Sequence, residues 1–151
     1  MRVVVVSATS VIAVACVKRL AETGRHEFVL AGRSEERLAV TANDLALRFP
    51  DSSFSFELVD FSSTNSISAL IDRVANSVID LALIAQGSLT DQKKSSSDLE
   101  YLKSELELNA VSVALVAEGF AGALETQGFG TLGVIGSVAG DRGRAYNYSY
   151  G

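Results

Sequence analysis

The sequence predicts a doubly wound α/β fold: one parallel sheet with helices on both faces. Three observations carry that reading. Short apolar or alternating runs take turns with helical stretches along the whole chain, in the order β-α-β-α-β-α-β-α-β. The first run, Arg2 to Val6 (RVVVV), has no polar face, which suits a strand buried on both sides. The 151 residues are 48% apolar and 21% charged, enough for one domain with a proper core.

The elements follow in order. After the first strand, Ser7 to Ser10 form a polar turn, and Val11 to Thr23 is a helix closed by Gly24. His26 to Ala31 (HEFVLA) is the second strand. Ser34 caps the next helix, with Glu35 and Glu36 in its first turn where the dipole favours anions, and Pro50 ends it. Ser53 to Val59 alternates polar and apolar as the third strand, Thr64 to Ser77 is the third helix and Asp80 to Ala85 the fourth strand. Residues 92 to 97 (QKKSSS) read as an exposed loop. A single long helix follows from Asp98 to Thr126, with Leu99, Leu102, Leu106, Ala110, Val113, Val116, Ala117, Phe120 and Leu124 on one apolar stripe. Gly128 ends it and Thr131 to Gly136 is the fifth strand. Right-handed crossovers give the strand order 3-2-1-4-5, a Rossmann-type sheet lacking its last strands. The tail, Ser137 to Gly151, ends where another helix would begin, so the chain reads as an N-terminal fragment.

Composition excludes several functions. The 13 basic and 18 acidic residues give a net charge of −5, with no electrostatic footprint for nucleic acid or for a membrane surface. One cysteine rules out an intrachain disulfide and a cysteine zinc cluster, and a single histidine, His26, disfavours a histidine-rich metal site and a Ser-His-Asp triad. Cys16, among Val, Ala and Leu, is expected to be buried and inert. Met1 to Cys16 has the outline of a signal sequence ending in Ala-Val-Ala-Cys. Ser7, Thr9 and Ser10 interrupt it and Lys18 and Arg19 follow at once, which favours a strand and a helix of a cytoplasmic protein. No other stretch is expected to span a membrane.

In an open parallel sheet, ligands bind beyond the carboxyl ends of the strands. A literal G-x-G-x-x-G occurs at Gly128, Gly130 and Gly133, but it follows a helix and enters a strand, the reverse of what phosphate binding at a helix N-terminus requires. The turn in the right place is Val6 to Ala13 (VSATSVIA). Further signals follow in order: Ala31-Gly32-Arg33, Val59-Asp60-Phe61, Ile84 to Gly87 (IAQG), Asn109 in the long helix, Gly136 to Gly140 (GSVAG), and Tyr150-Gly151 thirteen residues after Ser137.

Together these resemble the short-chain dehydrogenase/reductase family, whose first turn reads T-G-x-x-x-G-x-G. The three glycine positions are held here by Ser7, Val11 and Ala13. Val11 departs most, because glycine there lets backbone approach a pyrophosphate. Either the cofactor sits further out or its binding is weak, and an ordinary capped strand-to-helix turn is the plain alternative. The resemblance implies a cofactor site formed by Ser7, Thr9, Ser10, Val11, Ile12, Arg33, Asp60, Phe61, Ala85, Gln86 and Gly87. Gly32 stands where an acid would select NAD and Arg33 follows it, which implies NADP (NADPH), with NAD disfavoured; the plain alternative for Arg33 is a solvated side chain near Glu35 or Glu36. Asp60 is expected to accept from the adenine amine, or simply to cap its turn. The resemblance also implies Tyr150 as acid, Ser137 as holder of the carbonyl oxygen and Asn109 as positioner, acting on a small-molecule substrate. The lysine expected after Gly151 is missing, so this stretch alone should be inactive. A homo-oligomer paired through the helix 98–126 is implied as well. The tail most resembles a bacterial branch that includes decaprenylphosphoryl-2-keto-ribose reductase, with Arg142 and Arg144 either facing an anionic substrate or forming a solvated loop. A non-catalytic nucleotide-binding module on the same fold is the competing reading.

Overall fold

A computed structural model describes residues 1–151. Five strands, β1 (Arg2–Val6), β2 (Glu27–Gly32), β3 (Ser53–Leu58), β4 (Leu81–Ile84) and β5 (Thr131–Val134), form one all-parallel sheet in the order β3-β2-β1-β4-β5. The register is continuous through the centre: Val4 pairs with Val29 on one side and Ala82 on the other.

The two-residue period of β1 divides the core. Val3 and Val5 point to one face and pack under α1 (Val11–Ala21) and α2 (Glu35–Arg48), through Val17, Leu38 and Leu45. Val4 and Val6 point to the other and pack under α3 (Thr64–Ala75) and α6 (Ser112–Gln127), through Leu70, Val116 and Phe120. All four valines are fully buried, as the unbroken apolar run requires.

Helix starts follow their caps. Ser10, Ser34 and Ser63 each accept a hydrogen bond from the backbone N–H three residues on. Gly128 closes α6 at φ 84°, so the glycine-rich stretch is a helix cap and a turn, as its position predicts.

Several expectations need correction. Residues 92–97 are not a loop but a short helix, α4 (Gln92–Ser97), because the Asp91 carboxylate accepts from the Lys93 and Lys94 N–H groups. The long helix is α5 (Leu99–Leu106), a π turn at Glu107–Val111, and then α6. Its stripe is buried only from Val116 onward; Leu99 and Leu106 are exposed. By length and composition Leu99–Gln127 is long and apolar enough to cross a membrane, and its residues Val116, Phe120 and Leu124 pack in the core beneath the sheet. The first helix stops at Ala21, before Gly24, and Cys16 is half-buried rather than buried. The tail beyond β5 is a series of turns docked on α4, where the Gln92 carboxamide bonds the Ser149 N–H and hydroxyl at 2.8 and 2.9 Å.

Candidate dinucleotide and active site

The carboxyl ends of β1, β2 and β4 open into a cavity of about 490 Å³ lined by Ser7, Thr9, Ser10, Gly32, Arg33, Ser34, Arg37, Phe61, Ala85 and Gly87. A second, of about 310 Å³, adjoins it at Arg33 and includes Asp60. A larger groove between α3 and α6 lies away from these strand ends. Of the expected cofactor residues, the fold therefore gathers Ser7, Thr9, Ser10, Arg33, Phe61, Ala85 and Gly87 around one space, with Asp60 beside it.

The turn after β1 leads directly into the N-terminus of α1. Ser7, at the first glycine position, has φ 59°, the only non-glycine residue in the left-handed region. This bends the chain so that Ser10 can cap α1 through the Ala13 N–H. The Val11 and Ile12 N–H groups sit in the first turn of α1, where helical donors lack intrahelical partners. Their side chains do not line the cavity: Val11 is 87% and Ile12 57% exposed. The branched side chain at the middle glycine position thus points to solvent and leaves the cavity open.

At the end of β2, Arg33 and Arg37 are both exposed at the cavity wall, and the Arg37 guanidinium reaches the Thr9 carbonyl at 3.5 Å. Sequence reasoning missed Arg37. Its signal was the spacing: four residues from Arg33, in the first turn of a helix capped by Ser34. Asp60 caps its own turn. Its Oδ1 accepts from the Ser62 hydroxyl at 2.7 Å and the Ser62 N–H at 2.9 Å. These bonds, with the attraction of Arg33, hold its carboxyl below the usual carboxylate range.

Gln86 departs from expectation. It is buried and its side chain turns away from the cavity into the helix. The reason lies in the π turn. The Ser112 N–H bonds the Glu107 carbonyl, five residues back, rather than the Leu108 carbonyl four back. Gln86 Nε2 donates to that carbonyl at 3.2 Å and also to the Ser112 hydroxyl, while the Ser112 hydroxyl donates to Leu108 at 2.9 Å.

Asn109 lies within this π turn. Its Oδ1 accepts from the Ser88 N–H at 2.7 Å, and its Nδ2 faces Thr90 Oγ1 and Glu105 Oε2, each at 3.4 Å. Gly87, at φ 155°, makes room: a Cβ there would sit 3.3 Å from Asn109 Oδ1. Ser137 follows β5, and its hydroxyl accepts from the Ala139 N–H at 3.2 Å, so its own proton is free to donate. Tyr150 is half-buried in a turn closed by its N–H to the Asn147 carbonyl at 3.1 Å. No hydrogen bond joins Ser137, Tyr150 and Asn109 to one another.

A family model described as short chain dehydrogenase matches residues 1–151. The chain belongs to the short-chain dehydrogenase family. Solved structures agree in fold. A short-chain type dehydrogenase/reductase from Mycobacterium ulcerans superposes with a TM-score of 0.85 at 19% identity, covering 99% of this chain and 55% of its own. An F189W actinorhodin polyketide ketoreductase with NADPH gives 0.86 at 24%, covering 99% and 57%. L-sorbose reductase from Gluconobacter frateurii, complexed with NADPH and L-sorbose, gives 0.84 at 20%, covering 99% and 57%. This short-chain dehydrogenase chain thus spans little more than half the length of those structures. No curated protein sequence matches it.

Proposed function

We propose that this chain supplies the cofactor-binding part of an NADP-dependent short-chain oxidoreductase, which transfers a hydride between nicotinamide and a carbonyl or alcohol substrate. The observation that carries the reading is the cavity itself: hydroxyls of Ser7, Thr9 and Ser10 and the unpaired N–H groups of α1 on one side, Arg33 and Arg37 on the other. An anion meets donors at both walls, and no acid lines this cavity to repel a 2′-phosphate.

The residues fit such a cofactor, whose nicotinamide when bound would supply the hydride. The chain's own groups would bind and orient it. Ser7 to Ser10 and the first turn of α1 would hold the diphosphate, Arg33 the 2′-phosphate, and Phe61 and Ala85 would border the adenosine. Ser137 would donate to the carbonyl oxygen, and Tyr150 would give that oxygen its proton. Asn109 would position the lysine that the family pattern sets just after Tyr150-Gly151. A keto-sugar on a lipid phosphate is the substrate class suggested by exposed Arg142 and Arg144 beside the tail. The exposed face around Leu106, Val111 and Leu115 would pair with a second copy, and we place the enzyme in the cytoplasm.

The test is a titration of the full-length protein with NADPH and NADH, followed by turnover. Tighter binding of NADPH and its oxidation with a ketone or keto-sugar support the reading; Tyr150→Phe should then abolish turnover and leave cofactor affinity intact. Binding without any turnover favours a non-catalytic nucleotide-binding module, and no binding of either nucleotide defeats both readings.

A further inference from the structure

The helix carries one carboxylate that the preceding reading does not use. Glu105, half-buried and four residues before Asn109, gathers three donors on one oxygen: the Thr90 hydroxyl at 2.9 Å, the Ser88 hydroxyl at 3.0 Å and Asn109 Nδ2 at 3.4 Å. No ion pair reaches it. Glu107, two residues on, behaves as a surface glutamate: it is exposed and lies 4.0 Å from Lys103. A solvated side chain at position 105 would have no cause to converge with Ser88 and Thr90, which come from the loop after β4 rather than from the helix.

We propose that Glu105 is a positioning residue that fixes the Asn109 carboxamide and, with it, the loop after β4. This rests on the reading of Asn109 as the helix asparagine of the redox site. The physical argument concerns the two ends of an amide. Asn109 could present either end to Ser88. An ionised carboxylate only accepts, so it holds Nδ2 on its own side and turns Oδ1 toward the Ser88 N–H. The flipped amide would set Oδ1 against Glu105 and Nδ2 against the Ser88 N–H, replacing two attractions by two repulsions. The hydroxyls of Ser88 and Thr90 extend the same clamp to the loop that follows the cavity-lining Ala85 and Gly87. Helix spacing permits it, because residues four apart share a face.

The experiment compares the full-length wild type with Glu105→Leu and Glu105→Gln. Amide hydrogen exchange at Ser88, taken as a ratio to that of Val5 in the sheet core, separates local release from general loss of stability. In E105L the ratio should rise about tenfold, and in E105Q, which keeps shape and one acceptor oxygen but loses the charge, about threefold. The Asn109 side-chain amide resonances should move toward free asparagine in E105L. With NADPH and ethyl acetoacetate as the carbonyl probe, kcat should fall about tenfold in E105L while KM for NADPH stays within about twofold. An unchanged Ser88 ratio in both variants overturns the assignment, and so does a raised ratio with full kcat in an active enzyme. If the wild type binds no NADPH, the dehydrogenase reading fails, and the Ser88 ratio alone still decides whether Glu105 holds Asn109. E105Q keeps the test available should E105L not fold.

Discussion

Replacing Gly87 by alanine perturbs two things that the structure separates. The first is backbone: an L-residue at φ 155° is strained, at a cost of about 1–2 kcal/mol. The second is contact: the new Cβ would stand 3.3 Å from Asn109 Oδ1, the atom that holds the Ser88 N–H at 2.7 Å. Asn109 must yield a few tenths of an ångström, which weakens a hydrogen bond of about 1 kcal/mol. Gly24 provides the control. It has φ 146°, and a Cβ there meets nothing within 4 Å, so Gly24→Ala carries the strain without the contact. In a domain of this size 1 kcal/mol shifts Tm by about 2–4 °C. Gly87→Ala should therefore lower Tm by about 4–12 °C and exceed Gly24→Ala by about 2–4 °C. Thermal melts of the two variants beside the wild type decide it. Equal losses would mean that the Asn109 contact contributes nothing, and the account of this glycine would be wrong.

Other expectations follow from the same structure. Arg33→Ala should weaken NADPH about 5–30-fold, a range lowered for the solvent exposure of Arg33, and leave NADH unchanged; calorimetric titration reads the difference, and equal losses would remove Arg33 from the 2′-phosphate site. Phe120, fully buried beneath the sheet, should cost about 3–5 kcal/mol when cut to alanine, measured by urea unfolding. Ser10→Ala should cost about 1 kcal/mol through the lost Ala13 cap and weaken anion binding at the same turn. Asp60 has its folded-state pKa depressed by Ser62, so its contribution is complete above the unfolded carboxylate value and disappears as pH falls through the lower folded value. A carboxyl NMR titration should show Asp60 protonating at lower pH than ordinary aspartates, and Ser62→Ala should raise that midpoint.

Much of the candidate site could be read from the chain because strand ends are set by local pattern. The apolar runs fix where β1, β2 and β4 stop, and the residues just past them, Ser7 to Ser10, Arg33, Ala85 and Gly87, arrive around one cavity without further instruction. Gln86 shows where this reasoning stops. It adjoins Gly87 at a strand end, yet it points the other way because the Leu108 carbonyl in the π turn, twenty-two residues later, accepts from its side chain. Arg37 and Glu105 were missed for a related reason: each carries an ordinary helix-surface residue type, and only the neighbouring loop gives it a partner.

The sequence by itself determined the strand count, the parallel order, the Ser34 and Gly128 caps and the family, since each rests on hydrophobic period, cap chemistry or motif order within a few residues. Tertiary structure decided that the long helix breaks into three parts, that Val11 leaves the cavity clear, and that Asn109, Glu105, Ser88 and Thr90 form one cluster. Those outcomes depend on unsatisfied backbone groups and on donors from distant elements finding each other. That pairing is settled by the packed chain and has no period for a sequence to display.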